Sequence, residues 1–149
     1  MTVTMGRRTE PAASRGIGHH LALRALGAAL ALGVAYAHVK DQGGFPGEKD
    51  PSYIGLGYYA LELTGLLVAV VLLVGAGRHM PKVWLVAAGV GLGPIVGFVL
   101  SRGPGLPNYS DDKGNWTEQL AVVSFLAEAL LLVLAVAVLA ARPRTARLR

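Results

Sequence analysis

Residues 120–141 read LAVVSFLAEALLLVLAVAVLAA, 22 residues in which Glu128 is the only charge. As a helix this stretch is about 33 Å long at roughly 1.5 Å per residue, which matches the hydrocarbon core of a bilayer. Apolar residues occur on every side of every turn, so no face is left for water. Two more stretches read the same way. Residues 54–76 give 23 positions with Glu62 as the only charge, and residues 83–100 give 18 with none. Upstream, the uncharged run 25–37 has only 13 residues. It reaches spanning length if Arg24 snorkels toward the headgroups and the helix begins near His19.

The sequence therefore predicts an all-α protein, a four-helix transmembrane bundle in up-down-up-down order, with spans at about 19–39, 52–76, 82–100 and 117–141. Residues 1–18, rich in Thr, Ala, Gly, Pro and Arg, form the expected disordered arm, and residues 143–149 a basic tail. Composition agrees. Hydrophobic types make up 53% of the 149 residues and charged types 15%, against roughly 25% charged in an ordinary soluble domain. The absence of cysteine excludes disulfide frameworks, thiolate metal sites, iron–sulfur clusters and cysteine nucleophiles.

The basic residues set the expected orientation. Arg7, Arg8, Arg15, Arg24, Arg78, Lys82, Arg142, Arg144, Arg147 and Arg149 all fall on one side, with Glu10 as the only acid there. Lys40, Lys49, Arg102 and Lys113 fall on the other, among Asp41, Glu48, Asp50, Asp111, Asp112 and Glu118. Both termini are therefore expected in the cytoplasm of a plasma-membrane protein. The net charge of +5 is explained by membrane-flanking arginines that meet anionic lipid, and no nucleic-acid partner is expected. The first span also has the basic leader, short apolar run and small-x-small triplet Ala35-Tyr36-Ala37 of a secretory signal. Retention as a membrane helix is the reading adopted.

Local signals place the helix ends and the packing faces. Asp50-Pro51 offers a cap and a first-turn proline for the second helix, Gly77 a stop, Pro81 an opening for the third and Pro143 the end of the fourth. Asn115-Trp116-Thr117-Glu118 resembles a capping box, with Glu118 reaching back to the free amides. Small residues let helices approach in lipid. Four-residue spacings of Gly89, Gly93 and Gly97, and of Ala29, Gly33 and Ala37, predict two packing seams. Gly55, Glu62, Ala69 and Ala76 predict a third, and Thr117, Ala121, Ser124 and Glu128 a fourth.

Two constellations carry the candidate chemistry. Glu62 and Glu128 lie roughly 12 and 16 Å inside their spans at 1.5 Å per residue, where an acid is expensive and marks a functional site by default. They are expected to approach across the bundle centre. Three roles are open for them: neutral acids hydrogen-bonded to Ser124 or Tyr58 and Tyr59, a proton or cation site, or contacts to another subunit. The second constellation is the extracytoplasmic loop with Ser101, Arg102, Asp111, Asp112, Asn115, Trp116 and Glu118. It reads either as a connector in which Arg102 pairs with Asp112 or Glu118, or as a ligand or metal cup completed by His38, Asp41 or Asp50. Its spacing fits no defined metal motif, so no metal is assigned. No cofactor is expected either, because His38 and His79 sit at opposite ends and His19 and His20 are adjacent, which leaves no facing pair for haem. Ser101, Ser110 and Ser124 show no neighbouring histidine for nucleophilic catalysis.

The string Leu100-Ser101-Arg102-x-x-Gly105-Leu106-Pro107, then Asp111-Asp112-x-Gly114-Asn115-Trp116-x-Glu118 and a span with Ser124 and Glu128, resembles a group of small four-helix membrane proteins of actinomycetes. An early histidine such as His38 belongs to that pattern, and the resemblance covers residues 20–141. It implies an integral membrane protein of a high-GC Gram-positive bacterium and brings no catalytic role with it. The group commonly continues Trp-x-Glu-Pro, whereas Gln119 follows Glu118 here. The expectation is a non-enzymatic accessory or assembly component, with the bilayer, a membrane protein or a second copy as partner. The rivals are a small proton- or cation-coupled transporter using Glu62 and Glu128, and a membrane enzyme that handles a lipid or quinone.

Overall fold

A computed structural model of the chain describes residues 12–75 and 79–141, with side chains from residue 20 onward. It contains four helices, α1 (Ala12–Asp41), α2 (Ser52–Val74), α3 (Met80–Arg102) and α4 (Gln119–Ala140). Each holds a segment long and apolar enough to cross a membrane, which in α1 is His20–Asp41. The helices alternate up-down-up-down, so the α1–α2 and α3–α4 connections share one end of the bundle, called the loop end below.

The ends of the helices differ from expectation in informative ways. α1 begins at Ala12, so residues 12–18 extend the helix instead of belonging to the arm; Arg7 and Arg8 lie outside the described residues. So do Gly77, Arg78, Pro143 and the tail arginines. α2 closes at Val74 with Gly75 as its cap. Arg24 reaches the C-terminal end of α2. Its guanidinium donates to the carbonyls of Leu72 at 2.6 Å, Leu73 at 3.4 Å and Gly75. Those carbonyls have no partner within their own helix and carry the negative end of its dipole, so a cation from α1 completes the α2 terminus.

Both predicted N-caps are corrected. Pro51, not Asp50, occupies the cap position of α2 and makes no side-chain cap bond. Glu118 stands at the cap position of α4 without capping it, because its carboxylate takes the Arg102 guanidinium at 3.0 Å. A charge-assisted bond to arginine is roughly twice as strong as a neutral one. Pro81 does sit in the first turn of α3, as its fixed backbone geometry suggests.

The core is made of small residues and a few larger ones: Ala28, Ala31 and Val34 of α1, Ala69 and Leu72 of α2, Trp84 and Ala87 of α3, Leu131 and Ala135 of α4. Around it Leu56, Leu63, Leu85, Leu126, Leu130 and Val133 point outward, as lipid-facing positions should. Close helix approach occurs at glycines other than those predicted. A Cβ on Gly65 would meet the Ala31 carbonyl oxygen at 3.1 Å, and one on Gly91 would lie 2.6 Å from the Glu128 carbonyl oxygen. On Gly33, Gly89, Gly93 or Gly97 it would meet nothing within 4 Å. Ala29 is exposed as well, whereas Ala37, the last member of that seam, is buried. A strict four-residue repeat drifts off a 3.6-residue turn, and the buried faces follow the turn: Ala28, Ala31 and Ala35 on α1, Trp84, Ala87 and Gly91 on α3. The seam of α2 does hold, with Gly55, Glu62 and Ala69 all buried; Ala76 lies outside the described residues. On α4, Ser124 and Glu128 are buried, while Thr117 precedes the helix and is exposed.

α1 stops well short of the loop end. The connection 42–51 then climbs along the first turns of α2, and its contacts run in reverse register. Gln42 reaches Glu62, Gly47 meets Tyr59, and the Lys49 carbonyl lies 3.1 Å from where a Gly55 side chain would begin. Gly55 is thus needed for the approach of another backbone. Glycines with positive φ, Gly43 at 90° and Gly44 at 119°, reverse the chain at the foot of the climb.

Candidate functional site

α1 packs against α2 and α4, and α3 lies along α4, but α2 and α3 touch little along their length. Between them is a cavity of about 620 Å³. Its walls explain it. Gly57, Ala60 and Thr64 of α2 face Gly89, Gly93 and Gly97 of α3, and none of these has a side chain long enough to cross the gap. The glycine stripe that predicted a packing seam is the wall of an open cleft. Gly57, Ala60, Gly89 and Gly93 are exposed, so the cleft opens on the flank of the bundle that faces lipid.

At the loop end the walls turn polar. His38, Asp41, Tyr58, Ser101, Arg102, Tyr109, Asp112, Ser124 and Glu128 all line this part. Glu128 is only 2% exposed and accepts a hydrogen bond of 2.6 Å from the Ser124 hydroxyl one turn earlier. The Nε2 atom of His38 stands 4.0 Å from Glu128 Oε1. His38 Nδ1 lies 2.9 Å from the Val34 carbonyl oxygen; a carbonyl can only accept, so Nδ1 carries the hydrogen and Nε2 of the neutral ring presents a lone pair. The ring is held edge-on to Tyr58 at 4.8 Å. Tyr58 donates to Asp41 at 2.6 Å, and Lys49 pairs with the same carboxylate oxygen at 2.9 Å.

His38 and Glu128 are thus brought together from positions that depth counting had separated. The early end of α1 is the cause, since it lowers His38 toward the middle of α4. Ser124 therefore does have a histidine in its cluster, contrary to expectation, but its hydroxyl bonds the carboxylate instead of the ring. That is not the order of a hydrolytic triad.

Glu62 is placed elsewhere. It is 8% exposed, on the α1-facing side of α2, and accepts a 2.8 Å hydrogen bond from the amide of Gln42, itself 5% exposed. Glu62 Oε2 and Gln42 Oε1 are buried without a partner. The two membrane acids accordingly have separate surroundings, Gln42 for one and Ser124 with His38 for the other. Tyr58 and Tyr59, proposed as partners of the acids, bond Asp41 and the backbone of Gly47 instead.

Arg102 organises the long loop. Its side chain is almost wholly buried and bonds the Asn115 carbonyl at 2.8 Å, Ser101 Oγ at 3.2 Å, Asp112 at 3.4 Å and Glu118 at 3.0 Å. The expected pairing therefore forms with both acids at once. Its own carbonyl accepts from Gly114, and its guanidinium lies over the Phe98 ring at 4.4 Å. Within the loop, Leu106 and Tyr109 exchange backbone hydrogen bonds around Pro107 and Asn108, and Asn108 takes the positive φ of 55° that such a turn requires. Tyr109 donates to Asp112 at 2.8 Å; burial and that carboxylate raise the phenol above its ordinary pKa. Asp111 is exposed and Trp116 is half-exposed, with its ring edge against Phe98. Tyr53 ties the two loops together through the Pro107 carbonyl at 2.7 Å.

Among the described residues no three histidine or acidic side chains gather to hold a metal ion. Of the residues expected to complete a cup on the loop, His38 and Asp41 line the cavity with Ser101, Arg102 and Asp112, and Asp50 does not; the Asp41 carboxylate is taken by Tyr58 and Lys49. Sequence reasoning missed Gln42 altogether, since it sits outside the apolar run and gives no periodic signal. It also missed the climb of 42–51 along α2, whose foot brings Gln42 to Glu62.

Fold and cavity together define a multi-pass membrane protein built as a four-helix bundle. No family model matches the chain, and no curated protein or solved structure is similar enough to it to count as a match.

Proposed function

We propose that the chain is an accessory protein of the plasma membrane, with both termini in the cytoplasm, and that it holds one amphiphilic molecule drawn from the bilayer. The observation that carries this reading is the cleft between α2 and α3, apolar and glycine-walled along its length and polar at one end. Ligand sites are concave and mostly apolar, with a few convergent polar groups, and an opening on the lipid-facing flank suits a molecule that never leaves the membrane. The arginine distribution supports the orientation, which places the polar end in the outer half of the bilayer. The loop string that resembles the actinomycete group would then be the roof of the site, clamped by Arg102.

A transporter in which Glu62 and Glu128 act as one pair loses support, because the two acids have separate surroundings. A lipid- or quinone-handling enzyme would share the same cleft and differ by turnover. The deciding experiment is extraction of the protein purified in mild detergent, followed by lipid mass spectrometry. One amphiphile should be retained near one per chain, and Gly89→Leu/Gly97→Leu, which fills the cleft, should lose it. Identical lipid profiles in both proteins would refute the reading. A bound molecule that is chemically changed on incubation would favour the enzyme.

A further inference from the structure

Resting on the reading of the cleft as an amphiphile site, we propose that the head group it takes is a neutral hydroxyl, seated between His38 and Glu128. The argument is an inventory of hydrogen-bonding capacity at the polar end. Every hydroxyl or guanidinium donor described there is already engaged. Tyr58 donates to Asp41, Tyr109 to Asp112 and Ser124 to Glu128. Arg102 is spread over Ser101, Asn115, Asp112 and Glu118. Acceptor capacity is what remains. His38 Nε2 carries a lone pair, because Nδ1–H is committed to Val34, and a carboxylate has about four lone-pair positions, of which Ser124 takes one on Glu128. The 4.0 Å between Nε2 and Oε1 is too long for a direct hydrogen bond, and both atoms belong to side chains lining the cavity. A ligand O–H can donate to either of them.

Charge excludes the alternatives. Among the described residues that line the cavity, Arg102 is the one Lys or Arg an anionic phosphate head would meet, and it is already paired with two acids; the head would also face Glu128, Asp41 and Asp112. An ammonium head has donors enough for both Nε2 and Glu128, but it would have to shed its hydration about 14 Å from the start of α4, nine residues at 1.5 Å each, a cost that a neutral head is spared. A hydroxyl carries no such penalty and satisfies the acceptor left open.

The test uses three probes with the same C18:1 chain, oleyl alcohol, oleylamine and oleyl phosphate, measured on the full chain in mild detergent by native mass spectrometry and thermal shift. Oleyl alcohol should bind at least tenfold tighter than either charged probe. His38→Leu should cost the alcohol about tenfold, the penalty of losing an acceptor at a buried hydroxyl, and leave oleyl phosphate unchanged. Glu128→Gln keeps a carbonyl acceptor and should stay within threefold of wild type. Equal binding of all three heads, or tighter binding of a charged one, overturns the hydroxyl assignment while leaving the cleft as an amphiphile site. Failure of every probe to bind in competition with the co-purifying lipid overturns the cleft reading itself. Should His38→Leu not fold, the ranking of the three heads on the unmodified protein decides alone.

Discussion

Two glycines two positions apart on α3 should respond in opposite directions to the same added methyl group. At Gly91 a Cβ would sit 2.6 Å from the Glu128 carbonyl oxygen, 3.0 Å from the Leu132 amide nitrogen and 3.1 Å from the Leu132 Cβ. Two of these are backbone atoms that no rotamer change can move. To restore an ordinary contact of 3.4 Å, α3 must retreat from α4 by about 0.8 Å, and a gap of 0.5–1 Å forfeits roughly a quarter to a half of each dispersion contact along the seam. Gly91→Ala should therefore destabilise the bundle by about 1–3 kcal/mol, the usual cost of overpacking. At Gly89 the same Cβ meets nothing within 4 Å, so what remains is the helix-propensity gain of roughly 0.8–1 kcal/mol over glycine. Gly89→Ala should be neutral or stabilising. Gly93 is unsuited to this comparison because it precedes Pro94, whose ring crowds a preceding Cβ. Reversible unfolding in mixed micelles, read by helical circular dichroism against the mole fraction of denaturing detergent, gives both changes. Equal destabilisation by the two substitutions would show that Gly89 is packed, and the cleft would not be where it is described here.

Other expectations follow from the polar network. Arg102→Leu should cost about 2–4 kcal/mol, below the 3–5 of a fully buried ion pair because Asp112 and Glu118 keep some access to water; hydrogen exchange should accelerate across 103–118, and unchanged protection there would contradict the clamp. Gln42→Leu should cost about 1–3 kcal/mol by leaving Glu62 buried without a donor, whereas adding Glu62→Leu should recover part of it. Strict additivity of that double mutant would argue against the contact. Arg24→Ala should loosen the end of α2, with faster exchange near residues 72–75 and little change at the loop end. The protein isolated from membranes should still contain α1, read by mass spectrometry of its peptides, because cleavage after Ala37 would strip Ala28, Ala31 and Val34 from the core; a product that begins after Ala37 would show a processed signal.

The membrane-spanning character, the number of helices and the up-down-up-down order were all legible from hydropathy and length. Lipid imposes the same demand on every spanning residue, so the signal is carried by composition and needs no partner to be read. Helix edges were legible to within about two residues except at the start of α1, which lies at Ala12 and not near residue 19, and Pro81 opened α3 as its fixed geometry suggests. The packing faces were only half legible. Gly55, Glu62 and Ala69 lie inside as the heptad stripe predicts, yet Gly33, Gly89, Gly93 and Gly97 do not. Spacing shows which residues share a face, but not which face a neighbouring helix will cover. That depends on where larger side chains such as Trp84 and Val90 find contacts.

The site depended on something still less local. A chain of 149 residues with His38 near the end of one apolar run and Glu128 deep in another carries no hint that the two will stand 4.0 Å apart. The apolar runs by themselves establish that the backbone must be helical and closed on itself, because unpaired peptide groups are too costly in hydrocarbon. They leave open how far each helix rises relative to its neighbours. That offset is settled only when α1 stops early and 42–51 folds back along α2, since side-chain contacts between elements fix depth, and residue counting within one element does not. The same three-dimensional packing leaves α2 and α3 apart and turns a row of glycines into a cavity wall.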